Sequence, residues 1–233
     1  ETADCAILNR EKLLIGDPTA EIVKMTFPDI PRGFNSFVPA YAEGPTEPEA
    51  NEPCYFFAVQ DNSFPGVETD HIKVFRADID WSAPEDASVS ISQSLNTAPF
   101  NTSFSGTSDD VPQKGTTQGL DPITSFFMYR AQYRRFDDYN TIVLCQTVDV
   151  DGTDRAGIRW YELRDNNSQT WSIYQQGTYS PDEENHRWMG SIAMDRLGNI
   201  ALGYSFSGPD EYPGLRYTGR FKGDPLGEMT VNE

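Results

Sequence analysis

The stretch Arg187 to Gly208, RWMGSIAMDRLGNIALGYSFSG, decides how the chain is read. Ser191–Asp195 and Asn199–Ser205 carry apolar residues on both faces, as a pair of short strands would. Asp195-Arg-Leu-Gly198-Asn199 supplies the turn between them, with Gly and Asn able to take positive φ at its corner. Small residues fill the stretch: Gly190, Ser191, Ala193, Ala201, Gly203 and Ser205. A sheet with one wet face alternates cleanly, whereas near-continuous apolarity with small side chains fits strands packed closely on both sides. The reading is a buried hairpin.

Working outward, the same kind of strand recurs. Cys5–Leu8 and Ile22–Phe27 flank a helical turn near Lys12–Ile15. Gly33–Tyr41, Cys54–Gln60, Asp70–Ala77 and Val89–Ser94 follow, with an acidic, Pro-rich loop at Glu43–Glu52. Leu95–Asp121 is long and polar without periodicity and reads as a surface connection between sheets. Beyond it, Ser125–Phe136, Asn140–Val150, Gly157–Leu163 and Thr170–Gln176 are joined by short turns. The opening hairpin, Leu215–Arg220 and Met229–Val231 repeat that plan.

Third strands also resemble one another: Ile72-Lys-Val-Phe75, Ile158-Arg-Trp-Tyr161 and Leu215-Arg-Tyr-Thr218 each place a basic residue after an aliphatic one. Repeated four-stranded meanders predict an all-β chain folded as a single β-propeller segment. The blade-like units fall near 34–94, 123–178 and 187–231, with part of another at 2–27. A β-sandwich is the competing architecture. Closed propellers typically have about 4–8 blades, so the missing blades would come from the rest of a longer chain or from another chain.

Composition sets the partners. With 36 acidic against 18 basic residues the formal net charge is -18, which disfavours nucleic acid and anionic membranes and is compatible with calcium or a cationic partner. No run approaches the roughly 20 apolar residues of a membrane span. No signal segment opens the chain, and the first residue is not Met, so the chain reads as processed or incomplete. Three cysteines allow one disulfide at most: Cys145 lies in an apolar run and reads as a buried small hydrophobe, and Cys5 and Cys54 are the pair open to bridging.

Residues in the second half carry a family resemblance. Pro112-Gln-Lys-Gly-Thr116, Gly157-Ile-Arg-Trp-Tyr-Glu-Leu-Arg164, Tyr174-Gln-Gln-Gly-Thr-Tyr179, Arg187–Asp195, Gly198–Tyr204 and Arg216–Arg220 resemble secreted bacterial β-propeller domains loosely described as sialidase-like. The resemblance is dense from about residue 110 onward and thinner before it. It implies a fold and a secreted or cell-surface location, not a reaction.

No catalytic, cofactor-binding or metal-binding residue is assigned from the sequence. A glycoside hydrolase needs a pair of carboxylates, and sialidase-like chemistry adds arginines. Arg130, Arg159, Arg187 and Arg216 recur with the repeat, which suits guanidinium groups tying neighbouring blades together. The Ser-x-Asp-x-Gly-x-Thr-Trp turn of true sialidases is absent, Ser191–Asn199 being a distant relative. Asp149-Val-Asp151-Gly152-Thr-Asp154 opens like a calcium loop, but Trp160 stands where the closing Glu of an EF-hand would be. His71 and His186 lack ligand-like neighbours, and the sequons at Asn101 and Asn166 have no expected use in a bacterial protein. The function expected is therefore a non-catalytic extracellular binding, adhesion or assembly module with a protein or glycan partner. Its alternative is a glycan-cleaving hydrolase with part of its site outside this chain.

Overall fold

A computed structural model describes residues 3–29, 36–50, 52–106, 109–181 and 184–232. The chain is nearly all β, with 47% of residues in strands and 4% in helix. Strands β1 (Asp4–Leu8) and β2 (Ile22–Thr26) form a hairpin around the short helix α1 (Arg10–Leu14). Asn9 caps that helix by accepting from the Lys12 backbone N–H.

Two antiparallel meanders follow. The first is β3 (Val38–Ala42), β4 (Cys54–Gln60), β5 (His71–Asp78) and β6 (Ser88–Asn96). The second is β7 (Ala131–Arg135), β8 (Asn140–Asp149), β9 (Ala156–Asp165) and β10 (Ser172–Tyr179). A short parallel ladder, Ala40–Ala42 against Ala131–Tyr133, joins them into one eight-stranded sheet of order β10-β9-β8-β7-β3-β4-β5-β6. The sheet curls so that its two halves face each other. Tyr55, Phe57, Val59, Ile72 and Val74 of one half pack with Tyr133, Ile142, Leu144, Tyr161, Leu163 and Trp171 of the other.

The third unit is β11 (His186–Met194), β12 (Ile200–Gly208) and β13 (Glu211–Arg220), with Val231 adding a single bridge to Gly219. It lies on the opposite side of the second meander, where Ile192, Met194, Ile200, Leu202 and Tyr204 meet Val143, Cys145, Ile158 and Trp160. Strand β8 explains how one layer serves two cores. Its residues Asn-Thr-Ile-Val-Leu-Cys-Gln-Thr-Val-Asp are buried throughout. Ile142 and Leu144 point to the first meander, and Val143 and Cys145 point to the third, because side chains alternate across a strand. Each such buried aliphatic is worth about 1.5–3 kcal/mol. On the far side of the first meander, Phe27 after β2 stacks on Phe37 with ring centroids 3.9 Å apart and meets Ala58 and Phe75.

Several boundaries differ from those read in the sequence. The strand expected from Ser125 begins only at Ala131, and positive φ at Ile123 (49°) and Ser125 (73°) keeps the preceding stretch irregular. The expected start of the first unit at 34 lies outside the described residues, and β3 begins at Val38. Met229–Val231 is reduced to one bridge.

The 97–121 connection is not a bare surface crossing. Val111 is fully buried with Ala156 and Trp188, Asn101 C=O accepts from Asp149 N–H at 2.8 Å, and Pro112 C=O accepts from Ser207 Oγ at 3.0 Å. Polar composition hid this packing. Its described residues are mostly exposed or partly so, as a surface connection would be, and Thr102 and Val111 are the buried points that anchor it to the meanders.

The hairpin from Arg187 is corrected as well. It is buried on one face, and the other alternates outward: Ser191, Ala193 and Ala201 are exposed.

Candidate functional site

That outward face is the candidate site. β11 pairs with β12 and β12 with β13, which places Ser191, Gly203 and Tyr217 in one row and Ala193, Ala201 and Gly219 in the next. The face is nearly smooth where β11 and β12 cross it, and apolar along β13, where Leu215 is 85% and Tyr217 71% exposed. A groove of 360 Å3 runs beside it, lined by Ala193, Ala201, Tyr217, Phe221 and Val231. The covered face of the same unit shows what small residues do here. A Cβ at Gly190 would sit 3.1 Å from Cys145 Sγ and 3.1 Å from Ile158 Cγ2, so the second meander approaches because no side chain intervenes.

The turn Asp195–Asn199 that aims these strands is built by one carboxylate. Asp195 Oδ1 accepts from the N–H groups of Leu197 (2.8 Å) and Asn199 (2.9 Å), and Oδ2 accepts from Asn199 Nδ2 at 2.8 Å. Gly198 at φ 87° completes it. Although burial opposes ionisation, these donors hold the Asp195 carboxyl below its ordinary range.

The repeated arginines do not converge on one polar cavity. Arg130 reaches Glu43 Oε2 at 3.2 Å and lies over the Tyr41 ring, bridging β7 to the loop after β3. Arg159 donates to Thr178 Oγ1 and to Ala98 C=O, each at 3.2 Å, linking the second meander to the segment after β6. Arg187, fully buried, lies against Tyr179 of the second meander and against Tyr204 and Phe206 of the third. Arg216 stacks on Phe206, 3.4 Å from its ring centre. Three of the four thus cross between units.

The acidic turn after β8 is occupied by its own chain. Asp151 accepts from Thr153 and Arg155, which bring its carboxyl down to about 2, and Asp149 accepts from the Gly152 N–H at 3.0 Å. Among the described residues no group of three His, Cys, Asp or Glu is placed to hold a metal ion, and no helix is long and apolar enough to cross a membrane. His71 Nδ1 lies 2.8 Å from Thr69 C=O, and His186 Nδ1 accepts from the Ala156 N–H at 3.2 Å. Burial lowers the His186 pKa and keeps the ring neutral in that role.

All three cysteines are free. Cys5 and Cys54 line one 770 Å3 cavity between the β1–β2 hairpin and the first meander, whereas Cys145 is buried and its thiol is pushed up to about 12 by desolvation. Thiolates, not thiols, react with alkylating agents. Desolvation also raises the Cys54 and Cys5 thiols, but Cys54 is exposed and Cys5 partly so, and iodoacetamide on the native protein is expected to label both ahead of Cys145, which is spared until denaturant is added. Peptide mass mapping checks the order.

Sequence reading found the hairpin and the arginines, and its count of units left the hairpin one neighbour short, but Ala, Ser and Gly are equally at home inside and outside and did not mark which face is open. The one available signal was Leu215-Arg-Tyr217, apolar residues spaced by two on a final strand. No family model, curated protein or solved structure matches the chain.

Proposed function

We propose that the chain is a segment of a β-propeller that serves as a non-catalytic binding, adhesion or assembly module of a larger secreted or surface-displayed bacterial protein. The observation that carries this reading is the contrast between the two faces of the third unit. One face is sealed by a neighbouring meander through large side chains such as Ile192, Met194 and Leu202, and the other presents a floor of Ser191, Ala193, Ala201 and Gly203 with Leu215 and Tyr217 standing exposed. A further meander is the occupant that fits, because an equivalent layer already covers the opposite face. The resemblance of residues 110–233 to secreted propeller domains supports the location, and the distribution of the arginines between units supports a structural role for them.

The test uses the Leu215→Asp/Tyr217→Asp double variant. Both side chains are exposed, so the unfolding midpoint should hold within the ±0.5 kcal/mol usual for surface substitutions. The wild-type chain is expected to associate with rising concentration in sedimentation velocity, and the variant to remain a monomer. Identical monomers would remove the assembly reading, and turnover of a fluorogenic sialoside or other glycoside by the isolated chain would remove the non-catalytic one.

A further inference from the structure

Among the described residues no strand pairing joins the β1–β2 hairpin to the first meander. Side chains hold it there instead. The Phe27 ring, just after β2, stands edge-on to Phe56 and Phe75, and Lys73 Nζ of β5 meets Asp29 Oδ2 at 2.6 Å. An isolated two-stranded hairpin is marginal in water, so this docking decides whether the hairpin stays ordered. The docking is not tight: the 770 Å3 cavity lies in the seam.

Two thiols stand on opposite sides of that seam. Cys5 is on the half-buried face of β1 and packs on the cluster of Phe27, Ala58 and Phe75. Cys54 opens β4 on the same face as Phe56, since side chains alternate along a strand, and Phe56 packs on that same cluster. Both cysteines line the cavity. Burial raises the Cys5 thiol above its ordinary range, and the neighbouring Asp4 and Cys54 add to the effect, so the two thiols are within electrostatic reach of one another. Cys145 is far from this arrangement, buried between the second and third meanders.

We propose that Cys5 and Cys54 are a redox pair that closes to a disulfide and fastens the β1–β2 hairpin to the first meander, the free thiols being its reduced form. Cys54 is the more exposed of the two and reacts first. Its thiolate attacks oxidised glutathione, whose S–S bond breaks to leave a mixed disulfide on Cys54 and one glutathione. The Cys5 thiolate then attacks the Cys54 sulfur, the mixed bond breaks, and a second glutathione leaves. The two thiol protons end on the two glutathiones, so the protein gives up two electrons and two protons and the oxidant gains them. The bridge spans about 50 residues of chain, and it restricts the unfolded ensemble as well as the hairpin.

The experiment oxidises the reduced chain with oxidised glutathione, alkylates it in denaturant and maps the peptides without reduction. The expected product joins the tryptic peptide ending at Arg10 to the one carrying Cys54, two hydrogens lighter than the reduced pair, with Cys145 alkylated. Cys5→Ser is expected to stall at the glutathione adduct on Cys54. Closure in the wild type is expected to raise the thermal midpoint by about 5–10 °C, reversibly with dithiothreitol, and to slow amide exchange in β1 and β2. A lasting glutathione adduct on wild-type Cys54, two chains joined through Cys54, or both thiols left reduced overturns the proposal. So does a closed bridge that changes neither midpoint nor exchange, because it fastens nothing. Oxidising surroundings outside a cell favour such a bond, but the reaction in the tube does not depend on where the chain resides, so its failure leaves the secreted reading untouched.

Discussion

Trp171→Ala is expected to lower unfolding free energy by about 3–5 kcal/mol, the range for truncating a large buried aromatic. The residue is 1% exposed and sits among Tyr55, Phe57 and Tyr133, with rings from both halves of the curled sheet edge-on to it. Its backbone is held as firmly: Gln93 accepts from its N–H at 2.8 Å and donates to its C=O at 3.0 Å, fastening the start of β10 to β6. Those two backbone bonds survive the substitution, so the loss measured is that of packing. Urea denaturation followed by far-ultraviolet circular dichroism checks it. A loss under 1 kcal/mol would mean that the two halves of the sheet close without this ring.

Asp165→Ala is expected to remove about 3 kcal/mol, by a different mechanism. Its carboxylate, 1% exposed, collects the N–H and hydroxyl of Ser168 at 2.8 and 2.9 Å, the N–H of Thr170 at 3.1 Å and the amide of Asn140. Alanine strands these donors in a part-buried turn, at about 1–3 kcal/mol for each donor that finds no water. Asp165→Asn keeps an acceptor oxygen and should recover part of the loss. Equal midpoints for alanine and asparagine would show that charge, not hydrogen bonding, is what the turn needs.

How far the residues announced all this depended on what kind of physics each feature used. Cys54–Gln60 is a strand in the fold over the same bounds as in the sequence, because CYFFAVQ packs β-formers between a proline and a turn cluster. The meanders were legible for the same reason: short turns and strand-length apolar runs are local properties. The parallel junction of Ala40–Ala42 with Ala131–Tyr133 was not, since it pairs residues about 90 apart and leaves no mark on either segment alone. Val111 was hidden inside a polar stretch. Trp171 looked like any strand residue, and its role comes from tertiary neighbours.

The order of layers, a hairpin, three meanders and then an open face, makes the molecule behave as a one-dimensional array in which each unit draws stability from its nearest neighbours. Among the described residues the second meander has a neighbour on both sides and the third on only one. Resistance to local opening should therefore be graded along the stack, highest in β8 and lowest in β13, with Arg187 and the 97–121 segment acting as couplers that spread an opening of one layer into the next. A layer docking on Leu215 and Tyr217 would then do more than cover them: it would move the weakest point of the array away from β13.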